Sequence, residues 1–297
     1  MLVRYAWLSV AAALATIALK TLAWQVTGSV GLLSDALESL INLAAALLAV
    51  AMLRLAAAPP DAQHPYGRFK AEYVASGIEG ALIVFAAASI IYSAAPRLLA
   101  PQPIEAPLLG LALSAVATAI NLGCALVLMR VGKREHSIAL EGDGQHLMAD
   151  VWTSVGVIAA VALVAATGWL ILDPLIALAV AAHIVWTGAL LMRRSFRGLL
   201  DAAIPPDDLA EVEKIFAEYR KRHGVDFHAL LTRRAGARRF ISFHLLVPDE
   251  WTVARAHQLS EEIESRIRSL VEGSILLTHI EPISDPASYD DIKLDRP

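Results

Sequence analysis

The sequence predicts an α-helical membrane protein, six transmembrane helices followed by a small α+β domain, on three observations. Of its 297 residues 57% are hydrophobic and only 18% are charged, and the mean hydropathy is +0.55. That leaves too little charge to cover a water-soluble chain of this length. Apolar segments long enough to span a bilayer, about 20 residues each, recur before Pro205-Pro206. Beyond that pair the composition turns to that of a soluble domain.

The six spans run Tyr5–Val26, Val30–Ala56, Tyr73–Leu98, Leu108–Met129, Gln145–Trp169 and Leu175–Leu191. None has the alternation of a barrel strand, and only helices or closed barrels satisfy their backbone in lipid, so all six read as helices. The first could pass for a signal peptide, but it is long enough to span and many apolar segments follow it. Arg4, Arg54, Arg68, Lys70, Arg130, Lys133, Arg134, Arg193, Arg194 and Arg197 fall at the N-terminus, after even-numbered spans or after span six. The other side offers Arg97, with Lys20 able to snorkel towards it. This bias puts both termini in the cytoplasm, as an even number of spans also requires. The localisation expected is a multi-pass inner membrane protein.

After Pro206, Asp207 can cap a helix reaching about Arg222. Val225–Arg234 and Arg239–Val247 read as strands around Ala235-Gly236-Ala237. Val253, Ala256, Leu259, Ile263, Ile267 and Leu270 form a helical stripe, and Ser274–Ile280 is a last strand. This α-β-β-α-β order suggests helices on one face of a three-stranded sheet. The expected domains are 1–200 for the six-helix part, 201–284 for the soluble part and 285–297 for a frayed tail.

Several function classes can be set aside. The lone Cys124 excludes a disulfide framework or a cysteine metal site within one chain. No Gly-rich loop ending in Lys-Ser/Thr is present. The net charge of −4 is small and its sign uninformative, because the charges are segregated along the chain; no nucleic-acid partner is expected.

Span two contains Asp35, Glu38 and Asn42, and span five contains Asp143, His146 and Asp150. Ionisable residues at this depth are costly and mark ion pathways more often than not. Glu38 and Asn42 are four apart, as are His146 and Asp150, so each pair lies on one helix face. Two such faces brought together supply four donors, the number a tetrahedral zinc-like site takes. The competing explanation is that these polar groups only hold the two helices together.

With these motifs the chain resembles the cation diffusion facilitator family. The resemblance rests on Gly31-Leu-Leu-Ser-Asp-Ala-Leu-Glu-Ser-Leu-Ile-Asn42, Asp143-Gly-Gln-His-Leu-Met-Ala-Asp150, the loop His64-Pro-Tyr-Gly-Arg-Phe-Lys-Ala-Glu72 and the series His244, His257, His279. It covers essentially the whole chain and implies six spans followed by a metallochaperone-like cytoplasmic domain. It assigns Glu38, Asn42, His146 and Asp150 to the transport site. Family members usually have Asp or His, then Asp, at the first two positions. Glu38 and Asn42 therefore make a harder, less anionic set, which tilts selection towards manganese or iron, with zinc kept narrowly first.

The resemblance implies a weaker metal site at Asp61 and His64, where Arg68 replaces a further His and would oppose a cation. It implies a structural charge pair, Lys70 with Asp201, and a binuclear cytoplasmic site from His228, His244, His257, His279 and Glu281, with Glu281 where Asp is common. His136, His183 and His223 read as ordinary surface or core residues. Ser76 and Gly80 form a small-residue face in span three, a helix that family dimers bring near the partner. The expected function is export of divalent transition metals in exchange for protons, by a homodimer in the bilayer. Metal then acts as substrate and regulatory ligand, and no cofactor is needed. The alternative is a metal-sensing membrane scaffold with little transport, motivated by Asn42. A membrane enzyme is disfavoured, because Ser39 and Ser154 have no evident activating base.

Overall fold

The computed structural model describes residues 2–27, 30–100 and 108–289. Its contacts divide the chain into two compact units, Met1–Arg197 and Gly198–Pro297.

The first unit is built from α1 (Val3–Thr27), α2 (Val30–Ala56), α3 (Ala71–Leu99), α4 (Leu108–Arg134), α5 (Ile138–Thr167) and α6 (Leu172–Leu199). Among the described residues five of these are long and apolar enough to cross a membrane, and α2 contributes the apolar stretch Asn42–Ala56. Large apolar side chains such as Phe85 (67% exposed) and Trp186 (71%) point outward, as a lipid-facing surface requires. Inside, small residues stand beside Leu128, Leu140 and Leu147: Ala6, Ala46, Ala75, Ala125 and Ala139 pack α1 to α5 together. Short side chains let helix backbones approach closely, which replaces the hydrophobic drive that lipid does not provide.

Several helices extend beyond their predicted spans, α5 and α6 the furthest. α5 begins at Ile138 rather than Gln145, because Ser137 caps it by accepting from Leu140 N–H and the acids of its first turns are received by neighbours. Glu141 accepts from Arg194 at 3.2 Å and Asp143 accepts from Ser9 at 2.9 Å. α6 continues through Arg193, Arg194 and Arg197 to Leu199. The small-residue face of α3 is also accounted for within the chain. A Cβ at Gly80 would stand 3.0 Å from the Gly188 carbonyl of α6, and Ser76 Cβ is 3.3 Å from where a Gly142 Cβ would be. That face is buried on α6 and α5 and does not wait for a partner.

The second unit holds α7 (Pro206–His223), β1 (Asp226–Ala235), β2 (Arg238–Val247), α8 (Val253–Leu270) and β3 (Ser274–Pro282). α7 starts one residue before the expected cap: Pro206 occupies its first turn, where the missing N–H costs nothing, with Asp207 and Asp208 beside it. β1 and β2 form an antiparallel hairpin, β3 joins β2 in parallel, and the order is β1-β2-β3. Gly236, in the hairpin turn, has φ +56, a conformation that favours glycine. Phe227, Phe243, Leu245, Ile263 and Ile267 fill the core between the helices and one sheet face. The expected frayed tail is in part a 3-10 turn, Pro286–Tyr289, held by Ser288 donating to the Pro282 carbonyl at 2.9 Å; residues 290–297 lie outside the described residues.

Candidate metal sites

Side chains of α2 and α5 meet inside the bundle. Asn42 and His146 are each 4% exposed. The Asn42 Oδ1 lies 2.8 Å from His146 Nε2, while its Nδ2 donates a short hydrogen bond to Asp150 Oδ2. One amide thus bridges the imidazole and the carboxylate expected to act with it, and the spacing of four residues on α5 puts both on the face that α2 covers. The side chain of Glu38, one turn earlier on α2, lies outside the described residues. A cavity of about 510 Å³ reaches Asn42 and His146 and runs between α3 and α6 past Phe85, Ser89 and Ser93 to the ion pair of Arg97 and Asp173, which are 3.2 Å apart.

One group at this site went unnoticed in the sequence. Asn121 of α4, 3% exposed, donates to Asp150 Oδ2 at 3.5 Å, and its own Oδ1 has no hydrogen-bond partner among the described residues. It brings an amide oxygen from a third helix into the same neighbourhood. A lone Asn in an apolar span was the available signal.

In the α2–α3 loop, Asp61 is already engaged through both oxygens. Oδ1 accepts from the backbone N–H of Gln63 and His64 and lies 3.3 Å from His64 Nδ1, while Oδ2 pairs with Arg68 at 2.5 Å. The Arg68 hydrogen bond and those from His64 hold the Asp61 carboxyl down at about 2. The loop is organised by an arginine–carboxylate pair where the sequence left open a metal site. Asp201 accepts from Arg233 at 3.3 Å, and Lys70 precedes the first turn of α3.

The soluble unit offers a second cluster. His228 and His244 are register partners, as are His244 and His279, so their side chains form a row across the sheet face opposite the helices. His228 Nε2 and His244 Nδ1 lie 2.9 and 3.0 Å from Glu281 Oε2, and His279 Nε2 lies 3.4 Å from Oε1. Partial burial pushes the Glu281 carboxyl up, but the His228 and His244 hydrogen bonds outweigh it and hold the group below its ordinary value. One ligand atom each from His228, His244 and Glu281 fall within 4.8 Å of one another. Two imidazoles and a carboxylate at that spacing fit a zinc-type ion with an open position. His257 does not join them: it sits exposed on α8, which buries Ala256, Leu259 and Ile263 against the other sheet face.

A bundle with polar groups buried at mid-span, joined to a sheet with a histidine row, defines a class of membrane carrier. Residues 6–200 match the cation efflux transmembrane domain and residues 204–283 the cytoplasmic domain of cation efflux proteins. The chain belongs to the cation diffusion facilitator family; it is a multi-pass cation efflux transporter and not an enzyme. It is 54% identical over 285 residues to an uncharacterized transporter of Synechocystis sp., covering 96% of this chain and 92% of that one. It is 30% identical over 274 residues to the cation-efflux pump FieF of Pectobacterium atrosepticum, covering 92% and 90%. A solved structure of CzrB, a proposed zinc transporter, is 39% identical over 27% of this chain and 96% of that chain, with a TM-score of 0.24.

Proposed function

We propose that this transporter exports divalent transition-metal ions from the cytoplasm in exchange for protons. Zinc is the first candidate, then iron or manganese, with cobalt and cadmium further candidates. The observation behind this reading is the convergence of Asn42, His146 and Asp150 from α2 and α5, with Asn42 and His146 lining a cavity. An amide oxygen, an imidazole and a carboxylate, with Glu38 as a fourth donor, suit a borderline divalent ion. Ligand atoms must be deprotonated to bind metal, so metal and protons exclude one another and either gradient can drive the other.

The charge bias of the loops argues for cytoplasmic termini. With that orientation the cavity runs from Asn42 and His146 towards the side away from the cytoplasm, where Arg97 and Asp173 line it, a geometry suited to metal release and proton entry. The engaged Asp61 argues against a resident ion in the α2–α3 loop.

The histidine row would hold a regulatory ion. Leu277 (69% exposed), Leu231 (50%) and Ile275 (41%) share its open sheet face, an apolar surface suited to a second copy of the chain, and His257 could then contribute across the dimer. Purified protein in liposomes with an inward proton gradient tests the transport reading. Zinc flux in wild type, lost on His146→Ala or Asp150→Ala, is expected. Zinc binding without wild-type flux would favour the sensing scaffold.

A further inference from the structure

Two carboxyl groups in the bundle take no part in the site above. Glu79 of α3 is fully buried, and neither of its carboxyl oxygens has a hydrogen-bond partner among the described residues. Asp143 of α5 is 1% exposed; its Oδ1 accepts from Ser9 of α1 at 2.9 Å, and its Oδ2 has no hydrogen-bond partner among the described residues. Gly142 brings the two together. A Cβ there would stand 2.1 Å from Glu79 Oε2, so only a glycine lets the Glu79 carboxyl lie against the α5 backbone next to Asp143, within range of its charge.

Among the described residues, the groups facing this pair are not cations. They are Ser9 from α1, Ser76 one turn earlier on α3, and Cys124 from α4, which feels the Asp143 charge. α2 meets α5 through Asn42, which is occupied with His146 and Asp150. From α6, Arg194 reaches α5 but pairs with Glu141. Two ionised carboxylates at this depth with one hydroxyl donor between them are strongly disfavoured, and some positive charge must balance them.

Asp143 precedes His146 by three residues, roughly 4.5 Å along the helix. The 510 Å³ cavity that reaches His146 is not lined by Asp143 or Glu79. The pair therefore lies outside that cavity, about one turn of α5 from His146, close enough for an ion held by His146 and Asp150 to act on it through a low-dielectric interior.

We propose that Glu79 and Asp143 form a proton-binding pair that holds one proton when the metal site is empty and gives it up when a divalent ion occupies that site. The buried negative charge is balanced by the proton in one state and by the ion in the other, so exchange is enforced between two neighbouring positions rather than only among the ligands themselves. The proton leaves as H⁺ to water on the side from which the ion entered, and no other bond is made or broken. This deepens the exchange reading and rests on it.

The test is the number of protons released per zinc bound by full-length protein in detergent, read with a pH indicator in weak buffer near neutral pH. Wild type is compared with Glu79→Gln, with Glu79→Gln/Asp143→Asn and with His146→Ala; the soluble cluster contributes equally to all and cancels. The first two variants are expected to bind as much zinc as wild type while releasing about one proton fewer per ion at the membrane site. An unchanged proton count in both, or loss of membrane-site zinc in both, overturns the pair. If instead His146→Ala matches wild type in zinc and protons alike, the transport site itself has been misassigned.

Discussion

Asn42 is the residue on which the proposed transport site turns. Its amide satisfies His146 with one end and Asp150 with the other, so an ion bound there must replace both contacts. Asn42→Asp would substitute a charged oxygen and set two carboxylates side by side, which only a cation relieves. Zinc affinity is expected to rise about tenfold, or about 1.4 kcal/mol, in competition with a chelating dye; unchanged affinity would contradict the assignment. Asn121→Leu removes a hydrogen bond to the Asp150 carboxylate, a contact of about 1.5–3 kcal/mol. It should lower transport efficiency roughly tenfold while zinc stoichiometry is kept. At the soluble cluster, Glu281 sits below its ordinary value of 4.5. Its stabilising contribution is therefore complete above that value and fades as pH falls through the depressed one, so it stays charged from pH 5 to 8. Glu281→Gln should weaken zinc binding there across that window, as followed by titration calorimetry. His146 and Asp150 were legible because a spacing of four announces a shared face. Glu79 and Asn121 are singletons in apolar runs, and only the packing of α3, α4 and α5 reveals what they face.

Among the elements, the crossing of α3 and α6 is set by Gly80 and Gly188. A Cβ at Gly188 would come within 2.9 Å of Ile83 and Val84 side chains and 3.1 Å of the Gly80 carbonyl. Gly188→Leu should overpack this contact by about 1–3 kcal/mol and lower the melting temperature of the full-length protein. In the soluble unit Phe243, fully buried and 4.9 Å from the Phe216 ring, should cost about 3–5 kcal/mol on Phe243→Ala. The helices and strands were readable from periodicity, since each buries one stripe or face. Their ends were less so: a hydropathy reading stops at Glu141 or Arg193, whereas the helix continues wherever a Ser9, Arg194 or water can receive the charge. The histidines illustrate the same boundary. Their placement on strands was readable, but that α8 lies on the opposite face, separating His257 from His228, His244 and His279, follows only from the order in which the sheet is assembled.

Over the whole molecule, the architecture couples a carrier to a sheet whose open face offers metal ligands and exposed apolar residues together. If an ion is shared across that face by two copies, zinc will stabilise the dimer by mass action, about 2.7 kcal/mol at a hundredfold excess over its dissociation constant. Dimer dissociation of full-length protein should slow with zinc and recover on chelation, and His244→Ala should abolish the effect. In the bundle, the proposed site has α2 and α5 grip one ion between them. Anomalous scattering from zinc-loaded protein tests it most directly. A peak about 2.0–2.2 Å from His146 nitrogen and an Asp150 oxygen, with Asn42 turned towards it, is expected. A metal peak confined to the soluble unit at saturating zinc, with Asn42 still bonded to Asp150, would contradict it.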